Sequence, residues 1–142
     1  MNVEEQLELL KYQIKLIKTV AASDEHPYFM YLLDHDFTEK QTRSLQDLLY
    51  ILNYRLRGRS AQNDENSILF HSEKIKEIRE RNQYFSVPDD YLRSELPPTY
   101  EEFASILKLI APIDVNPSYL LRSLKMQEMY INLCEYLLGQ NK

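Results

Sequence analysis

The chain has 142 residues, with 22 acidic against 17 basic side chains and a formal net charge of −5. This length fits one domain, and the charge disfavours broad affinity for nucleic acids or anionic membranes, because binding to phosphates needs excess positive charge. With only 2 glycines and abundant Leu, Glu, Lys, Gln and Arg, the composition favours helix. We therefore predict a single all-α domain, 1–142, with four substantial helices and several short ones.

Cysteine content and hydropathy indicate the compartment. A single cysteine, Cys134, excludes an intramolecular disulfide and suits a reducing environment. The acidic start of the chain lacks the basic segment of a signal peptide, and no apolar run reaches the roughly 18 residues of a membrane span. We expect a cytoplasmic protein that does not enter a membrane.

The first predicted helix, residues 3–21, carries two apolar strips. The first has the alternating spacing of 4 and 3 residues that is typical of a coiled-coil or bundle seam: Val3, Leu7, Leu10, Ile14, Ile17 and Ala21. The second is partial and comprises Leu9, Leu16 and Val20. Two strips indicate either a helix sandwiched inside its own domain or a helix shared with another subunit.

Two shorter signals define the next helices. Pro27 suits the first turn of a short helix ending near Asp34, for which we predict that three side chains face inward: Phe29, Leu32 and Leu33. Thr38 and Gln41 have the spacing of a capping box. They open a helix with a leucine-rich face, which ends near Gly58.

Residues 57–98 are predicted to be an insertion, either mobile or elaborated for a role of its own. A polar loop at 59–67 precedes a charged helix at 68–82, anchored by Ile75 and Ile78, and an extended connection at 83–98. Aromatic and basic side chains in and beside this insertion form a candidate interaction surface: Tyr84, Phe85, Tyr91, Tyr100, Arg55, Arg57 and Arg59. The alternatives are ordinary helix ion pairs for the arginines and packing onto the core for the aromatic residues.

The last part of the chain predicts two further helices. Thr99 and Glu102 form a second capping box, which opens a helix that ends before Pro112. Asn116 caps one unbroken final helix, which ends at a left-handed turn on Gly139. Its core strip comprises Leu120, Leu124, Ile131, Cys134 and Leu138. We predict that the chain forms a homo-oligomer through the second strips of the first and last helices: Leu9, Leu16, Val20, Met126, Tyr130, Leu133 and Leu137.

Motifs for catalysis are missing from the sequence. The two glycines permit neither a phosphate-binding loop nor a nucleophile elbow, so we predict no enzyme activity, no cofactor and no metal site. Asp34, His35 and Asp36 are the one cluster that suggests a metal. Adjacent helical residues diverge by about 100°, so these side chains converge only if the helix ends there. Cys134 lies on an apolar strip and is predicted to be a core residue.

Three segments resemble the YhaI-like family, small uncharacterised proteins of low-GC Gram-positive bacteria and their phages. The similar segments are His26-Pro27-Tyr28-Phe29, Phe37-Thr38-Glu39-Lys40-Gln41 and Asn116-Pro117-x-Tyr119-Leu120-Leu121-Arg122-Ser123-Leu124, where x is any residue. The resemblance implies a multihelical cytoplasmic protein that self-associates. It implies no activity and no catalytic residues.

These observations predict a non-catalytic helical module that binds and modulates a protein partner. One alternative is an acidic antitoxin-like or phage-encoded inhibitor, which covers a basic surface on a nucleic-acid enzyme or regulator. A second alternative is a small metal-binding protein or enzyme that uses Asp34, His35 and Asp36.

Overall fold

A computed structural model describes residues 1–21, 25–57, 72–78, 80 and 96–141. Within these ranges the regular structure is helical and includes no strand, which confirms the predicted all-α fold. The described residues form six helices with defined ends and one further helical stretch at 72–78. The six helices are α1 (Val3–Ala21), α2 (Pro27–Asp34), α3 (Glu39–Arg57), α4 (Tyr100–Ile110), α5 (Pro117–Met126) and α6 (Ile131–Gln140).

The core forms where α2, α3, α4, α5 and α6 pack together. Its largest fully buried side chains include Tyr28, Phe103 and a set of leucines from α3 and α5. Ile75 and Ile78 are buried as well, as predicted for anchors of the charged helix. Among the described side chains, none from α1 belongs to this core.

The predicted caps of α3 and α5 are confirmed. Thr38 N–H donates to Gln41 Oε1 at 2.9 Å, and Gln41 N–H donates to Thr38 Oγ1 at 3.1 Å, which completes a reciprocal capping box. Asn116 Oδ1 accepts from the N–H groups of Ser118 at 2.9 Å and Tyr119 at 3.2 Å. Local sequence therefore determines where these helices begin.

The capping box predicted for α4 is only half present. Glu102 N–H donates to Thr99 Oγ1 at 3.1 Å, as the motif requires. The Glu102 carboxylate, however, binds the Arg55 guanidinium through two contacts of 2.6 and 3.1 Å instead of returning to the Thr99 N–H. A charged partner from α3 outcompetes the neutral backbone donor, because ionic hydrogen bonds are the stronger ones.

The prediction of one unbroken final helix is wrong. The chain leaves the helix after Met126, passes through left-handed conformations at Glu128 (φ 62°) and Tyr130 (φ 51°), and starts α6 at Ile131. Gly139 lies inside α6 and does not form the predicted terminal turn, since this helix continues to Gln140. The break lets α6 fold back against α5.

The inward-facing side chains predicted for α2 also need correction. Tyr28 is the fully buried residue of this helix, Leu32 is half-buried, and Phe29 and Leu33 are exposed. The first turn of α2 is capped from outside its own segment. Gln127 Oε1 accepts from Tyr28 N–H at 2.9 Å and from Phe29 N–H at 3.3 Å, and this contact turns α2 so that Tyr28 enters the core.

Candidate interaction surface

Helix α1, called the arm below, exposes its apolar side chains. Eight large apolar side chains on it have exposed fractions between 41% and 69%: Val3, Leu7, Leu9, Leu10, Tyr12, Ile14, Leu16 and Ile17. The described part of the chain therefore does not sandwich this helix, which was one of the two arrangements that its strips left open. Most of the stability of an amphipathic helix comes from packing of its apolar face, so we expect another surface to cover this one.

The arm touches the rest of the chain near its C-terminal end. Within the described residues, its polar contacts with other helices come from Lys18, whose Nζ donates to the Leu33 carbonyl at 3.3 Å and lies 3.6 Å from Asp34 Oδ1. An open groove of about 520 Å³ runs between the arm and the segment formed by α2 and the residues that follow it. Its lining consists of Ile14, Lys18, Phe29, Leu32, Leu33, Asp36 and Phe37. The exposed Phe29 and Leu33 thus extend the apolar surface of the arm.

Two strips divide the apolar face of the arm. The seam comprises Val3, Leu7, Leu10, Ile14, Ile17 and Ala21, which recur at heptad spacing, and the edge comprises Leu9 and Leu16, which lie on one flank of the seam. At about 100° per residue, seam and edge together span roughly 180° of the helix circumference. The opposite side carries the charged residues Glu4, Glu8, Lys11 and Lys15, with Tyr12 beside them. Such a wide face accommodates more than one neighbouring helix.

The three described residues of the candidate interaction surface, Arg55, Arg57 and Tyr100, do not form one exposed patch. Arg55 is buried, and its Nε donates to the Leu96 carbonyl at 3.0 Å while its guanidinium binds Glu102, so its role is structural. Tyr100 is half-buried, with its hydroxyl 2.7 Å from Ser118 Oγ. Arg57 is exposed at the end of α3. Arg59, Tyr84, Phe85 and Tyr91 lie outside the described residues.

The predicted self-association strips separate into accessible and inaccessible residues. Leu133 and Leu137 are fully buried in the chain's own core, which corrects their assignment to an interface between subunits. Met126 is exposed and Tyr130 is half-buried. The break before α6 explains the difference, because it turns the apolar face of that helix inward. Leu9 and Leu16 stay accessible on the arm, and the Val20 side chain lies outside the description.

The cluster at the end of α2 does not converge. Asp34 faces Lys18, while the His35 ring stacks on Tyr31 with centroids 3.9 Å apart and its Nδ1 lies 3.0 Å from the Tyr31 carbonyl. Asp36 takes a left-handed conformation with φ 56°. In the part of the chain that the structure describes, no three His, Cys, Asp or Glu side chains are grouped for holding a metal ion.

Cys134 is a core residue, as predicted. It is fully buried, and burial raises the pKa of its thiol to about 12, so the thiol stays protonated near neutral pH. Its Sγ lies 3.8 Å from the Met129 carbonyl oxygen. A buried, protonated thiol is a poor nucleophile.

A second cleft, of about 560 Å³, was not expected from the sequence. It lies beside the break between α5 and α6 and is lined by Arg43, Gln46, Asp47, Leu49, Tyr50, Lys74, Met129 and Tyr130. Burial raises the pKa of Tyr130, and the nearby Asp47 adds to that effect while Arg57 opposes it. The left-handed conformation of Tyr130 was not readable from the sequence, because it depends on α6 folding back. With cations and a carboxylate in one cleft, no single class of ligand is selected.

Comparisons with protein-family models, with curated proteins and with solved structures found no match. The resemblance to the YhaI-like family therefore stays a prediction. No helix among the described residues combines the length and apolar character needed to cross a membrane.

Proposed function

We propose that this chain is a non-catalytic helical interaction module, and that its arm docks an amphipathic helix of a protein partner. The observation that supports this is the exposure of the arm's apolar face, while no described side chain of the arm belongs to the core. Peptide recognition by helix docking relies on apolar anchors at this spacing.

The edge offers a simple estimate of the binding energy available. Leu9 and Leu16 are 41% and 46% exposed, and complete burial of an exposed leucine contributes about 1.5–3 kcal/mol. Covering two half-exposed leucines therefore contributes about 2 kcal/mol, before the costs of association. That amount corresponds to a change of more than tenfold in affinity.

The test is affinity capture of the tagged full-length protein from nuclease-treated lysate of its own host, followed by mass spectrometry. We expect one stoichiometric protein partner with the wild type and little of it with the double variant Leu9→Gln, Leu16→Gln. The matched control is the double variant Glu8→Gln, Lys15→Gln, on the polar side of the same helix, which should retain the partner. Equal retention by both variants, or no partner with the wild type, would contradict the proposal.

Salt dependence separates this proposal from the acidic inhibitor considered above. Docking through an apolar face should be nearly insensitive to ionic strength, because salt screens charge interactions and leaves apolar burial in place. Affinity that falls steeply with salt would instead favour the inhibitor.

A further inference from the structure

The seam of the arm complements a second copy of itself in one orientation. We propose that the arms of two copies of this chain pair in antiparallel fashion through their seams. The proposal rests on the proposed function only in treating the arm as a docking element, and it names a second copy as the occupant of the seam. The edge residues Leu9 and Leu16 lie on the flank of such a pair, where they stay accessible to a different protein.

Side-chain sizes match along the antiparallel seam. When the two arms cross near residue 12, Leu7 faces Ile17 of the partner subunit and Leu10 faces Ile14 of the partner subunit, so equal volumes meet in every central layer. Val3 meets Ala21 of the partner subunit, so the small side chains meet at the ends. A parallel pair would place Ile17 against its own counterpart at a d position, where parallel dimers prefer leucine.

Charges flanking the seam favour the same orientation. In the antiparallel pair, Glu4 lies opposite Lys18 of the partner subunit, and the two-fold axis generates this ion pair twice. One like-charge contact, between the two copies of Lys11, opposes these two attractive ones. In a parallel pair, the lysines would instead face Gln6 and Gln13, which supply no opposite charge. The side chain of Lys18 is 31% exposed despite its contact with Asp34, so its ammonium group can reach a second carboxylate.

The position of α2 adds a third argument. In the antiparallel pair, the N-terminal half of the second arm lies beside residues 13–21, where the groove adds the exposed Phe29 and Leu33 to the apolar surface. The second arm therefore covers part of α2 in addition to the seam.

The first test measures the dimer dissociation constant by sedimentation equilibrium of the full-length protein. We expect a wild-type mass twice the 17.0 kDa of one chain. For Lys18→Glu we expect a dimer dissociation constant about tenfold larger, because the substitution places like charges opposite each other at two symmetric positions. The double variant Glu4→Lys, Lys18→Glu should restore association, although its contact with Asp34 stays repulsive. Lys15→Glu, with the same charge change on the polar side, is the matched control and should behave as the wild type does.

A monomeric wild type, an effect of Lys15→Glu equal to that of Lys18→Glu, or a double variant that fails to restore association would overturn the proposal. A trimer would overturn it as well, since the ion pairs were derived for two helices.

The second test determines orientation with a short bismaleimide cross-linker. Glu4→Cys and Lys18→Cys proteins, mixed in equal amounts, should give a cross-linked pair containing one of each, whereas Glu4→Cys alone should give little. In a parallel pair, residues 4 and 18 are about 21 Å apart along the axis, at about 1.5 Å per residue, and Glu4→Cys alone would cross-link instead. That result would overturn the orientation. The native Cys134 does not compete, because it is buried with a protonated thiol.

Failure of this proposal is distinguishable from failure of the proposed function. A protein that is monomeric but retains a partner through Leu9 and Leu16 would refute the antiparallel pair and support the interaction module. A dimer that captures no partner would do the reverse.

Discussion

Tyr28 and Tyr31 lie one turn apart in α2, and their hydroxyls have opposite environments. The Tyr28 side chain is fully buried, and its hydroxyl has no hydrogen-bond partner among the described residues. The Tyr31 hydroxyl donates to the Asn116 carbonyl at 3.3 Å and accepts from Asn116 N–H at 3.1 Å. A buried polar group without a partner costs free energy, whereas a paired one contributes a net gain.

Removing each hydroxyl should therefore change stability in opposite directions. We expect Tyr28→Phe to raise the free energy of unfolding by about 1 kcal/mol and Tyr31→Phe to lower it by about 1 kcal/mol. Urea unfolding of the two variants and the wild type measures both effects. A loss of stability in Tyr28→Phe would show that its hydroxyl has a partner in solution.

Cys134 should make stability fall at alkaline pH. Burial raises the pKa of its thiol from 9.0 in the unfolded chain to about 12 in the folded one. Below pH 9.0 both states keep the proton, and above it the unfolded state loses the proton first, so stability decreases by at most about 1.4 kcal/mol per pH unit until about pH 12.

The variant Cys134→Ala isolates this contribution. Between pH 9.0 and about two units higher, the variant should lose less stability than the wild type does. Tyr28, whose pKa burial also raises to about 12, titrates in both proteins and cancels in the difference. Parallel pH profiles of the free energy of unfolding would contradict the prediction.

At the scale of elements, the turn between α5 and α6 is the main departure from the sequence pattern. Residues 127–130 contain neither Gly nor Pro, so local propensity continues the helix. Tertiary contacts outweigh that preference, because the break buries Leu133, Cys134 and Leu137 and lets Gln127 cap α2. Helix propensities amount to tenths of a kcal/mol per residue, whereas each buried apolar side chain contributes about 1.5–3 kcal/mol.

The substitution Glu128→Gly tests this turn, because its effect on stability has opposite signs in a left-handed turn and in a continuous helix. Glu128 is exposed and has φ 62°, a conformation that costs a non-glycine residue about 1–2 kcal/mol, so Glu128→Gly should stabilise the protein by about 1 kcal/mol. In a continuous helix the same substitution would destabilise by about 1 kcal/mol. Glu135→Gly, inside α6, is the matched control and should show that loss in a thermal or urea unfolding experiment.

For the whole molecule, the main feature is that no described side chain of the arm belongs to the core. Leu10 on the arm is 53% exposed, whereas Leu124 in α5 is fully buried. Identical truncations at these positions therefore report whether the core depends on the arm.

In dilute solution, where association is negligible, Leu124→Ala should lower the free energy of unfolding by about 3 kcal/mol. Leu10→Ala should change it by less than about 0.5 kcal/mol, since no core contact is lost. Urea unfolding followed by circular dichroism measures both. A large loss in Leu10→Ala would mean that the arm packs on its own core.

The sequence by itself determined the all-α class, the bounds of α1, and the caps of α3 and α5, because these depend on side chains within a few residues of one another. It also placed Cys134 in the core through its helical spacing. The tertiary structure alone decided that Arg55 binds Glu102, that Leu133 and Leu137 turn inward, and that the described core leaves the arm's apolar face exposed. Each of these depends on a partner that is distant in the sequence, and periodicity shows only that a face is apolar, not which surface covers it.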